Sequence, residues 1–168
     1  MPNYHKLYAP QDSAVVFIDH QPQMTFGVAN IDRASLINNV TLLAKVAKEY
    51  NVPAVLTAVE TESFSGYVWP QLLDVFPGQA VVERTSMNSW DDAGFRKAIE
   101  ATGRKNIIMT GLWTEVCVTW PTIEMLGAGV VSLSVGSDAF VVEWRVVGKH
   151  LPTRSDSKNV GKHFCKSR

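Results

Sequence analysis

Cysteine is scarce in this chain. Cys117 and Cys165 are the only two in 168 residues, too few for a disulfide framework. Net charge is absent as well: 16 Lys and Arg balance 16 Asp and Glu, which argues against a general binder of nucleic acid or anionic membrane. No apolar run reaches the roughly eighteen residues of a membrane-spanning helix. The opening MPNYHKLYAPQ has no apolar core of a secretory signal, so a cytoplasmic, reducing compartment is expected. The histidines His5, His20, His150 and His163 are scattered, so no metal site is expected. Phosphate-binding glycine loops, a Walker lysine and a G-x-S-x-G elbow are all missing. The first loop, DHQPQMTFG, lacks a hydroxyl-rich phosphate cradle. It also has Gln21 where an aspartyl phosphatase would need a second aspartate.

What is present is the composition of a single globular domain, with 46% apolar and 19% charged residues. SAVVFID (13–19) is a short apolar run closed by an acid and reads as a strand buried on both faces. From Asp32, an expected N-cap, apolar residues recur at helical spacing to Tyr50. PAVLTAV (53–59) reads as a second strand, 60–80 as irregular with one helical turn at 69–75, and 80–83 as a third strand. Ser89 and Asp92 suggest a capping box for a helix that Gly103 ends. NIIMTGL (106–112) is the next strand. Thr114 is expected to cap a helix through Cys117 to about Leu126, followed by the strand VVSLSV (130–135). Alternation of this kind predicts an α/β fold, a doubly wound parallel sheet flanked by helices.

The pattern changes after Ala139. Residues 140–168 carry seven Lys or Arg against Glu143 and Asp156, while the first 139 residues carry nine basic and fourteen acidic groups. We therefore divide the chain into a domain at 1–139 and an atypical basic tail at 140–168. AFVVEWRVV could form a strand; otherwise VVSLSV is expected to be an exposed apolar edge. The basic residues of the tail are spaced out and lack interleaved aromatics, so nucleic-acid binding is not expected.

Ligands of open parallel sheets sit beyond the carboxyl ends of the strands. Asp19, Arg84 and Cys117 map to that edge. Each has an ordinary explanation alone: a turn acid, a surface ion pair, a small buried hydrophobe. Together they suggest acyl transfer. A cysteine in the first turn of a helix and beside a guanidinium is expected to have a lowered pKa, and a neighbouring carboxylate could move its proton.

VVFIDHQPQM, the ERTSMNSW stretch at 83–90 and GLWTEVCV at 111–118 resemble the isochorismatase-like cysteine hydrolases, in particular their YcaC-like subgroup, over about residues 10–139. The resemblance implies a six-stranded parallel sheet with Asp19, Arg84 and Cys117 as the catalytic set. It implies no cofactor and a tendency to form homo-oligomers. It also implies a non-proline cis bond at Leu112–Trp113 and an oxyanion site made by the N–H groups of Trp113 and Cys117. Most of the family has lysine at the cationic position, so Arg84 is restricted to electrostatics and orientation. ETESFSG (60–66) supplies no histidine of the metal-binding nicotinamidases. From Phe140 onward the chain matches none of the family's closing turn, helix, strand and helix, so this part of the fold is expected to be missing or altered.

The leading expectation is a hydrolase that cleaves a small amide or related C–N bond through a Cys117 acyl-enzyme. Asp19 would be the general base and acid, and Arg84 would stabilise the thiolate or orient Asp19. Phe64, Tyr67, Trp69, Trp90 and Trp113 would wall an apolar pocket for a small-molecule substrate, although core packing explains each aromatic equally well. The alternative is a catalytically degenerate, truncated member serving as a binding or assembly subunit. The tail and Arg84 favour that alternative, and the intact Asp19 and Cys117 oppose it.

Overall fold

A computed structural model describes residues 8–104, 106–135 and 141–144. A short 3-10 turn, Pro10–Asp12, leads into β1 (Ser13–Ile18). Then follow α1 (Pro22–Phe26), α2 (Arg33–Glu49), β2 (Ala54–Val59), α3 (Pro70–Leu73), β3 (Val81–Arg84), α4 (Ala93–Ala101) and β4 (Asn106–Gly111). A π-type turn, Thr114–Val118, precedes α5 (Thr119–Gly127), β5 (Val131–Val135) and β6 (Val141–Trp144).

The strands form one sheet in the order β3-β2-β1-β4-β5-β6. The first five run parallel, as the strand–helix alternation predicts, with β1 in register between β2 and β4 (Val15 beside Ala54 and Ile108). β1 is buried along its whole length, which its unbroken apolar run requires. Successive side chains alternate between two cores. Val15 and Phe17 join Leu36, Ala44 and Ala47 of α2 and Leu72 of α3. Ala14, Val16 and Ile18 join Phe95 and Ile99 of α4 and Met125 of α5. This is the period-2 pattern of a strand sandwiched between helical layers.

Several local expectations need correction. Asp32 caps α2, its side chain accepting from Ser35 N–H at 2.9 Å, but Ser89 does not cap α4. Asp92 does so by accepting from Phe95 N–H at 2.7 Å, while Asn88 caps a separate 3-10 turn at Ser89–Asp91. A short polar residue immediately before the first helical residue is better placed than one four positions earlier. Thr114 does not cap a continuous helix either; its turn is π-type, and α5 begins only at Thr119.

The sixth strand also departs from the family pattern. It is antiparallel, pairing Val135 with Val141 and Ser132 with Trp144, so β5 is not the exposed edge expected from a foreign tail. Antiparallel pairing needs only a short connection, which the few residues between β5 and β6 provide. The remainder of the basic tail, residues 145–168, lies outside the described residues, as do His5, His150, His163 and Cys165.

Candidate active site

The carboxyl ends of β1, β3 and β4 bring together three side chains from distant parts of the chain. Asp19 follows β1 directly and has φ 54°, a left-handed conformation uncommon for a residue with a side chain. Its backbone is held there: Asp19 N–H donates to Thr57 O at 3.1 Å, and its carbonyl accepts from Gln21 N–H at 2.8 Å. Gln21 in turn ties the loop to β2, donating from Nε2 to Val59 O at 2.9 Å and accepting Val59 N–H on Oε1 at 3.0 Å.

Arg84 ends β3 and forms a buried ion pair from Nη2 to Asp19 Oδ1, with both side chains fully covered. Nη1 donates to Ser86 O and to Met87 O, the latter at 3.1 Å, and Nε donates to Thr57 Oγ1 at 3.2 Å. A buried charge is tolerable when paired and well hydrogen-bonded, and all three guanidinium nitrogens of Arg84 donate to a partner. Cys117 Sγ donates to the other carboxylate oxygen, Asp19 Oδ2, at 3.5 Å. The structure thus brings the three proposed catalytic residues into one cluster, with Asp19 between cation and thiol.

Gly111 makes room for the cysteine. A Cβ at this position would lie 2.9 Å from Val118 Cγ2 and 3.1 Å from Cys117 Cβ, so only glycine lets the π-type turn close over the end of β4. Gly27 serves a similar purpose for Trp113, whose indole lies 2.7–2.9 Å from where a Cβ would be and donates to Met24 O at 2.9 Å.

The electrostatics reverse one expectation. Cys117 was expected to have a lowered pKa, but burial pushes its thiol up to about 12, with the adjacent Asp19 charge adding to the rise. Arg84 opposes this but is spent on Asp19's far oxygen, and Cys117 precedes α5 instead of sitting in its first turn. Burial likewise raises Asp19 above the ordinary carboxylate value, against the pull of Arg84. The resting site therefore holds a neutral thiol hydrogen-bonded to the carboxyl group.

The Leu112–Trp113 bond is trans, like every peptide bond among the described residues and as non-proline bonds ordinarily are. Cys117 N–H, assigned by resemblance to an oxyanion site, donates to Trp113 O at 2.7 Å. The expected pocket aromatics divide. Trp90 and Trp113 are half-buried and pack on the apolar cluster that contains Cys117. Trp69 belongs to the opposite core: its indole N–H donates to Thr25 Oγ1 at 3.1 Å and its ring meets His20 edge-on. Phe64 and Tyr67 are each 62% exposed, with the Tyr67 hydroxyl donating to Glu62, so they lie on the surface of the loop after β2.

Sequence reasoning missed two residues here. His20 is fully buried beside Asp19, its Nε2 lying 3.5 Å from Thr110 Oγ1, and burial depresses its pKa to about 3. Thr57, the Arg84 partner, was legible as the one hydroxyl inside the apolar run PAVLTAV. Among the described residues no cluster of His, Cys, Asp and Glu could hold a metal ion, and no helix is long and apolar enough to cross a membrane.

An α/β sheet with an Asp, a cation and a Cys at its carboxyl edge defines a class of proteins, and comparison with known families names it. The Isochorismatase domain model matches residues 13–141, and the chain belongs to that family. Within it the chain is YcaC-like. It is 36% identical over 132 residues to the probable hydrolase YcaC of Escherichia coli K12, covering 78% of this chain and 60% of that protein. It therefore spans less than two thirds of that relative's length. It is also 30% identical to the secreted isochorismatase effector Isc1 of Verticillium dahliae, over 84% of this chain and 76% of that protein. Among solved structures, YcaC of Pseudomonas aeruginosa, described with hexane-2,5-diol and covalent acrylamide, superposes with a TM-score of 0.76 at 34% identity, covering 82% of this chain and 68% of that one. The E. coli YcaC structure, described as an octameric hydrolase of unknown specificity, superposes at 0.77 and 33% identity, covering 83% and 68%.

Proposed function

We propose that this chain is a cysteine hydrolase of small amides or related C–N compounds, working through a Cys117 acyl-enzyme. The observation that carries the reading is the single buried cluster in which Asp19 bridges Arg84 and the Cys117 thiol. In the first half-reaction Sγ attacks the amide carbonyl carbon as Asp19 takes the thiol proton. The tetrahedral intermediate collapses by C–N cleavage, and Asp19 passes that proton to the departing nitrogen. Water then attacks the thioester while giving a proton to Asp19. The C–S bond breaks, the acid leaves, and the proton returns to Sγ.

A neutral resting thiol suits this scheme. The nucleophile is generated only as the proton moves to Asp19, and Arg84 keeps Asp19 in place without exchanging a proton itself. The oxyanion would be held by Trp113 and Cys117 N–H, the second exchanging its bond to Trp113 O for the substrate oxygen. Trp90 and Trp113 would flank the acyl group. Phe64 and Tyr67 would stand at the rim, where a second copy in a homo-oligomer would cover them; the octameric E. coli relative supports that part of the reading. No cofactor enters the scheme. A reducing, cytosolic setting would keep the free thiol available.

The test is intact-mass analysis after incubation with a panel of small amides. An acyl adduct that maps to Cys117, and is absent from Cys117→Ser, is the expected result. Turnover that survives in Cys117→Ser would overturn the reading in favour of a scaffold with incidental hydrolysis elsewhere.

A further inference from the structure

β2 carries one polar side chain in its buried interior, and that side chain reaches the cluster. Thr57 is wholly buried, and its place in the strand alternation sets it on the same side of the sheet as Val55, toward the layer that contains Cys117. Its hydroxyl proton is committed to Val82 O at 2.8 Å, which fixes the direction of the remaining lone pairs. One of those accepts Arg84 Nε–H at 3.2 Å. A valine would suit a buried strand equally well, and a hydroxyl in such a place is costly to bury unless it is bonded.

We infer that Thr57 is the positioning residue of the site, its hydroxyl setting the plane of the Arg84 guanidinium so that Nη2 faces Asp19 while Nη1 holds the Ser86 and Met87 carbonyls. A guanidinium is a rigid fork, so fixing Nε fixes both terminal nitrogens. Freed at Nε, the fork could pivot on its two loop carbonyls and take Nη2 away from the carboxylate. A lysine has no Nε–H and would be blind to Thr57. The role is thus specific to a chain with arginine at this position. This inference rests on the proposed function only in taking Asp19 as the group that receives the Cys117 proton.

The competing explanation is that Thr57 merely ties β2 to β3 through Val82 O. The two separate in the rate of Cys117 alkylation by iodoacetamide across the neutral to alkaline range, resolved by peptide mass in the full chain, with Cys165 as internal control. In Thr57→Val a displaced guanidinium favours the thiolate less. Cys117 should then label more slowly, about threefold for a half-unit upward shift of its titration. Thr57→Ser should restore the original rate. With Arg84→Lys as background, Thr57→Val should change nothing. Loss of a strand tie alone would loosen the site and make labelling faster or leave it unaltered. Either result, or an equal slowing in both backgrounds, overturns the inference. Should valine not be accommodated, Thr57→Ala carries the same comparison. The hydrolase reading stands or falls separately, on amide turnover in Cys117→Ser, which alkylation does not involve.

Discussion

Asp19 and Cys117 lie 98 positions apart in the chain, yet the thiol of one donates to the carboxylate of the other at 3.5 Å. The carboxylate's second oxygen faces Arg84, so one small side chain mediates between a cation and a thiol. This geometry makes the behaviour of the thiol depend on Asp19 more than on Arg84.

The first expected outcome concerns reactivity in the free protein. With its thiol pushed up to about 12, Cys117 should be labelled by iodoacetamide more slowly than Cys165 at neutral pH. Its rate should climb by up to about tenfold per pH unit as the thiolate fraction grows. Rapid labelling that ignores pH would indicate a preformed thiolate and contradict the neutral resting state.

Replacing Asp19, the proposed base, should separate reactivity from turnover. Asp19→Asn removes an anion that disfavours the thiolate, so Cys117 should titrate lower and alkylate faster. Amide hydrolysis should nevertheless fall by about 100-fold or more, because no group remains to carry the proton to the leaving nitrogen. The variant should also melt earlier: breaking a buried pair leaves Arg84 uncompensated, at about 3–5 kcal/mol. An Asp19→Asn protein with intact turnover would eliminate the acid–base role.

Acid sensitivity should trace in part to His20. In the folded chain it stays neutral down to about pH 3, whereas the unfolded chain binds a proton at the ordinary value near 6.5. The unfolded state therefore holds more protons between these limits. Stability should fall as pH drops from about 6.5, by up to about 1.4 kcal/mol per pH unit. Urea denaturation of wild type and His20→Phe at several pH values isolates the contribution; parallel curves would mean that His20 does not carry it.

Gly111→Ala tests the packing under Cys117. The added methyl would press on Val118 and Cys117, so the π-type turn must shift, at about 1–3 kcal/mol. Turnover should drop far more than the melting point suggests, since displacement at a reacting atom is costly. Gly127→Ala, at the end of α5 with open space around the added carbon, is the control and should leave turnover unchanged without lowering the melting point.

The parallel core was legible because fully buried strands announce themselves as unbroken apolar runs: SAVVFI and PAVLTAV mark β1 and β2 almost to the residue. Asp19, Arg84 and Cys117 were legible through their positions at strand ends and the motifs around them. The charge state of the cysteine was not. It depends on how deeply the thiol is covered and on which carboxylate oxygen the arginine occupies, and neither is a property of local sequence. The different burial of three expected pocket aromatics was illegible for a related reason. Phe64, Tyr67 and Trp69 share one loop, yet two point to solvent and one into the core. Helix α1 went unread because five residues opening on proline carry no periodicity.

The strand order has a bearing on how the chain is made. β1 is synthesised first but sits between β2 and β4, so both of its edges wait for later residues. A ribosome-bound chain that has emerged only as far as α4 has β2 and β3 to pair on one side. It still lacks the strand that covers the other edge of β1 and the cysteine that meets Asp19. Until β4 emerges, the most apolar strand of the sheet presents an open backbone edge to the surrounding proteins. Stalled chains of that length should therefore recruit a folding helper, and chains longer by β4 and the π-type turn should release it.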